Sequence, residues 1–197
     1  MRIIGGALRG KRLRAPPGDA ARPTAERARE AAFDMLVHAA WGGPIAGIRV
    51  LDAFAGTGAL GLEALSRGAA EAVFFEPDRS VRAVLGANIE ACGAKTRARV
   101  VPQDATRPPP GVPCQLIFLD PPYGTSLAGA AAEALEEAGW IAEGALIVAE
   151  GGRKESVPPL GELLAERVYG AARLSFWRAR ARPLAQPGRR KSTVTGQ

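Results

Sequence analysis

The stretch from Ile48 to Gly58 limits the fold more than any other part of the chain. Ile48-Arg49-Val50-Leu51-Asp52-Ala53-Phe54 is an apolar run of strand character. Ala55-Gly56-Thr57-Gly58 breaks it, and a helical stretch runs from Ala59 to about Arg67, stopped by Gly68. Strand, glycine turn and helix in that order open a nucleotide-binding α/β unit. Glycine lets the backbone approach a ligand closely, and the helix start presents free N–H groups.

The remaining pattern continues that unit. Ala72–Glu76 predicts a second strand, and Asp78 caps a helix whose Val81, Val84, Leu85 and Ile89 face inward. Arg99–Gln103 predicts a third strand ending at Asp104, and Cys114–Leu119 a fourth. A helix from about Ser126 to Ala138 leads to a strand at Ala145–Glu150. Leu163–Tyr169 and Ala172–Arg180, divided by Gly170, close the chain as an antiparallel hairpin. Upstream, Arg2–Gly5 and Lys11–Ala15 alternate as two short strands joined around Gly6–Gly10. Thr24, after Pro23, is the predicted N-cap of a helix to about Ala40, with Phe33, Leu36, Val37 and Ala40 as its buried stripe. Strands alternating with helices predict an α/β sheet with helices on both faces. A chain of 197 residues, 47% hydrophobic, suffices for one such core. The reading is a single domain over 1–182, led by a basic hairpin at 1–17. Residues 183–197, polar and basic, are expected to be a disordered tail.

Gly56-x-Gly58-x-x-Gly61 satisfies a dinucleotide pattern, and Glu76 lies about twenty residues on, where a ribose-binding acid belongs. That motif alone fits an NAD-dependent oxidoreductase. Two details argue otherwise. Asp52, just before the turn, repels a pyrophosphate and suits a ligand carrying an ammonium group. The apolar run Leu116-Ile117-Phe118-Leu119 ends in Asp120-Pro121-Pro122-Tyr123. By itself Pro-Pro after a strand can be only a loop, with Tyr123 capping the core edge. It can equally be a ledge of carbonyl acceptors, because each Pro lacks an N–H and has a fixed φ. Such a ledge fits a planar ring bearing an exocyclic amino group, stacked on Tyr123. Open α/β sheets bind ligands at strand carboxyl ends, so both motifs would face one crevice.

At this point the chain resembles the class I S-adenosylmethionine-dependent methyltransferases that modify exocyclic amines, which pair Asp-x-Phe-x-Gly-x-Gly with (Asp/Asn)-Pro-Pro-(Tyr/Phe). Here these read Asp52-Ala53-Phe54-Ala55-Gly56-Thr57-Gly58 and Asp120-Pro121-Pro122-Tyr123. Met1-Arg2-Ile3-Ile4-Gly5-Gly6, Arg9-Gly10-Lys11 and Arg22-Pro23-Thr24-x-x-Arg27-x-Arg29-Glu30-x-x-Phe33 are similar to the RsmD family. That family comprises bacterial methyltransferases acting on a guanine N2 of 16S ribosomal RNA. The similarity runs to about Arg180.

The resemblance implies a Rossmann-like class I methyltransferase fold, with a mostly parallel seven-stranded sheet and an N-terminal β-hairpin. It implies S-adenosyl-L-methionine as methyl donor and 16S ribosomal RNA, in an assembling small subunit, as partner. Asp120, Pro121, Pro122 and Tyr123 are then the catalytic set. Asp52, Phe54, Ala55, Gly56, Thr57, Gly58, Glu76, Pro77, Asp104 and Ala105 are the cofactor set. Within it, Asp52 attracts the ammonium, Glu76 accepts from the ribose hydroxyls, and Asp104 accepts from the adenine amino group beside the Ala105 backbone. Glu76 could instead be a solvated strand-end charge, and Asp104 a turn former. Arg22 and Thr24 are placed near the methionine end or the RNA, while Arg27 and Arg29 could simply pair with Asp34 or Glu26.

Charge distribution fits a polyanion partner. Residues 1–30 carry eight Lys/Arg and three acids, and 173–197 carry seven Lys/Arg and no acid, which leaves a net −6 for residues 31–172. Basic ends around an acidic body suit RNA and a cationic ligand together. Arg2, Arg9, Lys11, Arg12 and Arg14, with Arg22, Thr24 and Arg27, are the candidate RNA contacts. Arg189-Arg190-Lys191 read as solubilising. Cys92 and Cys114, with the lone His38, make no metal-ligand cluster or disulfide framework, so no metal and a reducing cytoplasm are expected. No segment is apolar enough to cross a bilayer, so no membrane association is expected. A monomer is expected, since nothing points to an obligate dimer. Competing functions are a DNA adenine or cytosine amino methyltransferase, a small-molecule or protein-glutamine methyltransferase, an NAD-dependent oxidoreductase, and a non-catalytic RNA-binding protein. The first usually needs a larger recognition region, and the last two leave the Asp-Pro-Pro-Tyr ledge idle.

Overall fold

The computed structural model describes residues 1–15, 23–122, 124–125, 127–155 and 158–180. The basic tail, Arg22, Tyr123 and the Pro16-Pro17-Gly18 break therefore lie outside the described residues. Seven strands form one sheet: β1 (Arg49–Asp52), β2 (Glu71–Phe75), β3 (Ala98–Val101), β4 (Cys114–Leu119), β5 (Ile141–Gly152), β6 (Glu162–Tyr169) and β7 (Ala172–Arg178). Their order is β3-β2-β1-β4-β5-β7-β6. β7 runs antiparallel to both of its neighbours, and the other pairs are parallel. This is the Rossmann-like class I methyltransferase arrangement, with a closing hairpin at one edge.

Both faces of the sheet are covered, which is why the central strands read as continuous apolar runs. Alternate residues feed opposite cores. Phe74 and Phe118 join one core with Phe33, Leu36, Leu62, Leu85 and Phe176. Phe75, Ile117 and Leu119 join the other with Leu135, Trp140 and Trp177. The first core is roofed by α1 (Pro23–His38), α2 (Ala59–Ser66) and α3 (Arg79–Ala91), the second by α4 (Leu127–Glu137). Trp140 is wholly buried, edge-on to Phe75 at 5.1 Å, and its indole N–H donates to the Pro109 carbonyl. That bond removes the penalty of burying a polar tip.

Several expectations need correction. Thr24 is not an N-cap but lies inside α1, which begins at Pro23, since proline's fixed φ and missing N–H suit the first helical position. The buried stripe of α1 is Ala28, Arg29, Ala32, Phe33 and Leu36. Val37 is only partly buried, and Ala40 is exposed beyond the helix end. β1 is shorter than the apolar run that announced it, and β5 starts earlier, at Ile141. The N-terminal hairpin is a single Arg2–Arg12 bridge around a 3-10 turn at Gly6–Leu8. Its ladder stops early because the Ile4 and Gly5 amides donate to Glu63 of α2 instead of to an opposing strand.

Packing accounts for the third glycine of the Gly56-x-Gly58-x-x-Gly61 pattern. A Cβ at Gly61 would lie 2.3 Å from Cε1 of the fully buried Phe74, so α2 reaches the sheet only because that side chain is absent. Gly86, in α3, faces open space. Gly61→Ala should therefore destabilise the fold by about 1–3 kcal/mol in urea titrations. Gly86→Ala should stabilise it by about 0.5–1 kcal/mol. Equal effects at the two positions would refute the packing argument.

Candidate active site

The strand order reverses between β1 and β4, so their carboxyl ends flank the crevice where ligands of open α/β sheets bind. Asp52 ends β1, opposite Phe118 in register, and Asp120 follows β4 directly. The next parallel pair brings Glu150 of β5 alongside, because Leu119 is paired with Ala149. Glu76, just past β2, completes the edge on the other side.

The glycine turn is built by these carboxylates. Asp52 is buried, and its Oδ2 accepts the Gly61 amide at 3.0 Å. Glu76 accepts the Gly56 amide at 3.0 Å on Oε2 and the Asp78 amide at 2.9 Å on Oε1. It is thus a fixed acceptor rather than a loose strand-end charge, and each oxygen retains a lone pair for a ligand hydroxyl. Gly56 has φ +51, and a Cβ there would meet nothing within 4 Å. The turn needs glycine at this point for its backbone angle and leaves room on its outer side. Ala55 and Thr57 are buried, whereas Phe54 is half-buried against the second core. The Thr57 carbonyl accepts from Asn88 of α3 at 2.9 Å.

The electrostatics are one-sided. Burial pushes the Asp52 carboxyl up to about 7, against the Gly61 hydrogen bond, and the neighbouring Glu76 raises it further. Asp120 is also raised well above the usual carboxylate range, first by desolvation, then by Glu150 and Asp52. Asp120 makes no hydrogen bond to another described residue. Among the described residues the charges acting on these two buried carboxyls are negative, an environment hostile to phosphate and suited to a cation.

Other predicted residues take plainer places. Asp104 Oδ1 accepts from the Thr106 amide and hydroxyl, both at 2.8 Å. The turn-forming role is therefore real, and these bonds hold its carboxyl below the ordinary range. Oδ2 is left for a ligand, with the buried Ala105 next to it. Pro77 is exposed. Pro121 is buried and Pro122 exposed. The expectation that the ledge carbonyls all face a ligand is corrected at Pro122, whose carbonyl is taken by the Thr125 hydroxyl at 2.6 Å. Glu155 ties the Gly124 amide after the ledge to the Gly152 amide at the end of β5.

The basic arm sits beside the turn. Arg9, Lys11, Arg12 and Arg14 are exposed, as is Arg27 on α1. Arg2 pairs with Glu26 at 3.5 Å, which tempers its availability. Arg29 pairs with neither Asp34 nor Glu26 by direct contact. It is buried, and its Nη2 donates to the Arg2 carbonyl at 2.6 Å. Sequence reasoning missed Glu63, Ser66, Asn88 and Glu150. The first three look like polar positions on a helix surface, yet all are buried beneath the arm. Glu150 shows itself only when β4 and β5 are set in register. Among the described residues no His/Cys/Asp/Glu group has metal-site geometry, and no helix is long and apolar enough to cross a membrane.

Comparison with known proteins agrees with this geometry. Residues 1–178 match the family model described as "Conserved hypothetical protein 95". Ribosomal RNA small subunit methyltransferase D of Escherichia coli K12 is 41% identical over 160 residues, 80% of this chain and 78% of that protein. The Haemophilus influenzae protein of the same name is 35% identical over 181 residues, 86% of this chain and 89% of its own. The solved structure of Escherichia coli yhhF superposes with a TM-score of 0.79 at 38% identity, covering 92% of this chain and 99% of that one. The chain belongs to the family of ribosomal RNA small subunit methyltransferase D, the RsmD family.

Proposed function

We propose that this protein is an S-adenosylmethionine-dependent methyltransferase acting on the exocyclic N2 of a guanine in 16S ribosomal RNA. The carrying observation is the meeting of Asp52 and Asp120, both desolvated and both under negative potential, at the β1–β4 switch point. A cationic ligand relieves that repulsion. A dinucleotide pyrophosphate would add to it, and family membership leaves the oxidoreductase and DNA-modifying readings without support. The names of the curated relatives supply the substrate class, small-subunit ribosomal RNA. The finer reading is a monomeric cytoplasmic enzyme working on an assembling small subunit.

The site's residues fit the donor. Asp52 suits its ammonium, Glu76 its ribose hydroxyls, and Asp104 Oδ2 with the Ala105 backbone its adenine. Gly56 leaves the close approach open, with Phe54, Ala55, Thr57, Gly58 and Pro77 lining the turn. S-adenosylmethionine supplies a methyl group activated on a sulfonium sulfur.

Everything else falls to the ledge. A guanine amino nitrogen is a weak nucleophile, because its lone pair is delocalised into the ring. Asp120, ionised once a cation offsets the acidic field that raises it, accepts one N–H and the Pro121 carbonyl another, which favours a pyramidal nitrogen and stabilises the positive charge that develops on it. Tyr123 stacks on the ring and fixes the line of attack. Asp120 acts mainly as an electrostatic acceptor, because N2 becomes acidic only once alkylated. The base must be splayed from the RNA to reach the crevice, which favours a loop nucleotide. Arg9, Lys11, Arg12 and Arg14, with Arg2, Arg22, Thr24 and Arg27, form the RNA-facing set.

Asp120→Ala should abolish methyl transfer to unmodified small subunits while leaving donor affinity within about threefold, since its contribution belongs to the transition state. Transfer retained by the purified variant would remove Asp120 from this role. Replacing Arg9, Lys11, Arg12 and Arg14 by Gln should weaken RNA binding and flatten its dependence on log salt by up to about 3. An unchanged slope would move the RNA surface elsewhere.

The pH dependence has a definite sign. Asp52 carries its proton below about 7, and a cationic donor favours the ionised form. Donor affinity should rise by up to about tenfold per pH unit on approaching 7 from below, then level off, with proton release on binding in calorimetry. Without donor, the folded value near 7 exceeds the ordinary 3.8, so the native state holds the extra proton between them. Its contribution to stability therefore declines as pH rises through that window. Affinity flat across pH 7 would exclude Asp52 as the cation's partner.

A further inference from the structure

Asn88 is 1% exposed and lies on the face of α3 between two functional parts of the molecule. Its Oδ1 accepts the Arg14 amide at 2.8 Å. Its Nδ2 donates to the Arg14 carbonyl at 3.0 Å and to the Thr57 carbonyl at 2.9 Å. Arg14 belongs to the basic arm, and Thr57 sits between the two glycines of the donor turn. A primary amide has two N–H donors, and here one goes to each partner. The amide group is planar and rigid, so the arm backbone and the turn backbone cannot shift independently while all three bonds persist.

A second contact joins the same two parts, from the Thr57 hydroxyl to the Met1 sulfur at 3.4 Å. The rest of the arm is held to the body through groups that depend on it. Glu63, with no exposed surface, accepts the Ile4 and Gly5 amides at 2.7 Å each and pairs with Arg67 at 2.9 Å. Ser66 accepts from the Leu8 amide and donates to the Gly5 carbonyl. Ile3 and Leu13 are buried beside them. Lifting the arm would strip Glu63, Ser66 and Asn88 of these partners together, and a buried polar group left unsatisfied is expensive. Docking of the arm is thus close to all-or-none, the kind of two-state element through which distant ligands communicate.

We propose that Asn88 is a positioning residue that couples the RNA-binding arm to the donor-binding turn, so that RNA and methyl donor bind cooperatively. This rests on the function proposed above, with RNA on the arm and donor at the turn. RNA that clamps the arm holds the Arg14 backbone. Through Asn88 it also holds the Thr57 carbonyl in the donor-ready position. Linkage requires the reverse effect, with the donor tightening RNA binding by the same factor.

The test uses the full chain, unmodified small ribosomal subunits, and an analogue of the donor in which an amine replaces the sulfonium so that no transfer occurs. Calorimetry of the analogue with and without the particle should show at least about fivefold tighter binding in its presence. Asn88→Asp keeps the acceptor for the Arg14 amide but turns both donor bonds into oxygen–oxygen repulsions. It should bring that ratio to about one, which a general loss of stability would not do selectively. Should the variant fail to fold, amide exchange in the wild-type chain decides: the analogue alone should slow exchange at Arg14. Both ligands binding without mutual effect, a ratio unchanged in Asn88→Asp, or Arg14 exchange indifferent to the analogue would each overturn the coupling and leave the proposed function standing. Failure of the wild-type protein to bind either ligand at all would overturn both.

Discussion

Desolvation of two carboxyls at the β1–β4 switch point, reinforced by their acidic neighbours, sets the character of the site. Asp52 and Asp120 are forced together by strand register, and Glu150 and Glu76 extend the acidic edge to either side. A protein could lower that energy by placing an arginine among them. Here the charges of the described residues acting on both central carboxyls are acidic, and desolvation is the larger penalty on each. Strain of this sort persists where it is used. The proposed donor, a sulfonium-bearing amino acid, would supply a positive charge there, so the free site is poised to gain from binding it. The same field resists every phosphate-bearing competitor.

That anionic crevice creates a problem for a polyanionic substrate, and the arm resolves it by separating the two charges in space. Arg9, Lys11, Arg12 and Arg14 are exposed on a lobe resting on α1, α2 and α3, whereas the carboxylates lie at the strand ends. The lobe has too few residues for a core of its own. Among its described residues it buries only Ile3 and Leu13, and it relies on body side chains for many backbone partners. This also explains α2, a helix buried nearly all round, with Leu62 and Leu65 in the sheet-side core and Glu63 and Ser66 under the arm. Arg67, stacked over Phe33 at 4.8 Å while paired with Glu63, seals the joint between α1, α2 and the arm.

What the sequence disclosed follows the same division. Parallel strands buried on both faces leave unbroken apolar runs, so β4 was legible to the residue and β1 and β2 to within a few residues, whereas the antiparallel β6 and β7 were legible from the Gly170 turn that divides them. The Asp78 cap was legible because its side chain bonds the Ser80 and Val81 amides locally. Motif carboxylates were legible by their spacing from glycine. Roles fixed by distant partners were not. Glu63 meets residues almost sixty positions away and Asn88 residues 31 and 74 away. In sequence both resemble the polar side of an exposed helix. Arg29 was misread for the same reason: its charge suggested an ion pair, while its burial serves the Arg2 carbonyl. The arm was read as two strands because alternation reports facing, not what accepts the amides.

On the proposed function, catalysis follows from a sorting of neutral and charged parts of one substrate. RNA approaches as a chain of phosphates, yet the base to be methylated is neutral, and only that part can enter a crevice lined by Asp52, Asp120, Glu76 and Glu150. Phosphates held by the proposed RNA-facing arm would not follow it in, because the acidic field suited to a cationic donor would repel them. On that reading a flipped guanine brings its N–H donors to Asp120, whose side chain makes no hydrogen bond to another described residue. The site therefore discriminates by what it leaves unsatisfied. An amino-bearing base quenches the ledge, whereas a base presenting only a carbonyl at that edge would set acceptor against acceptor.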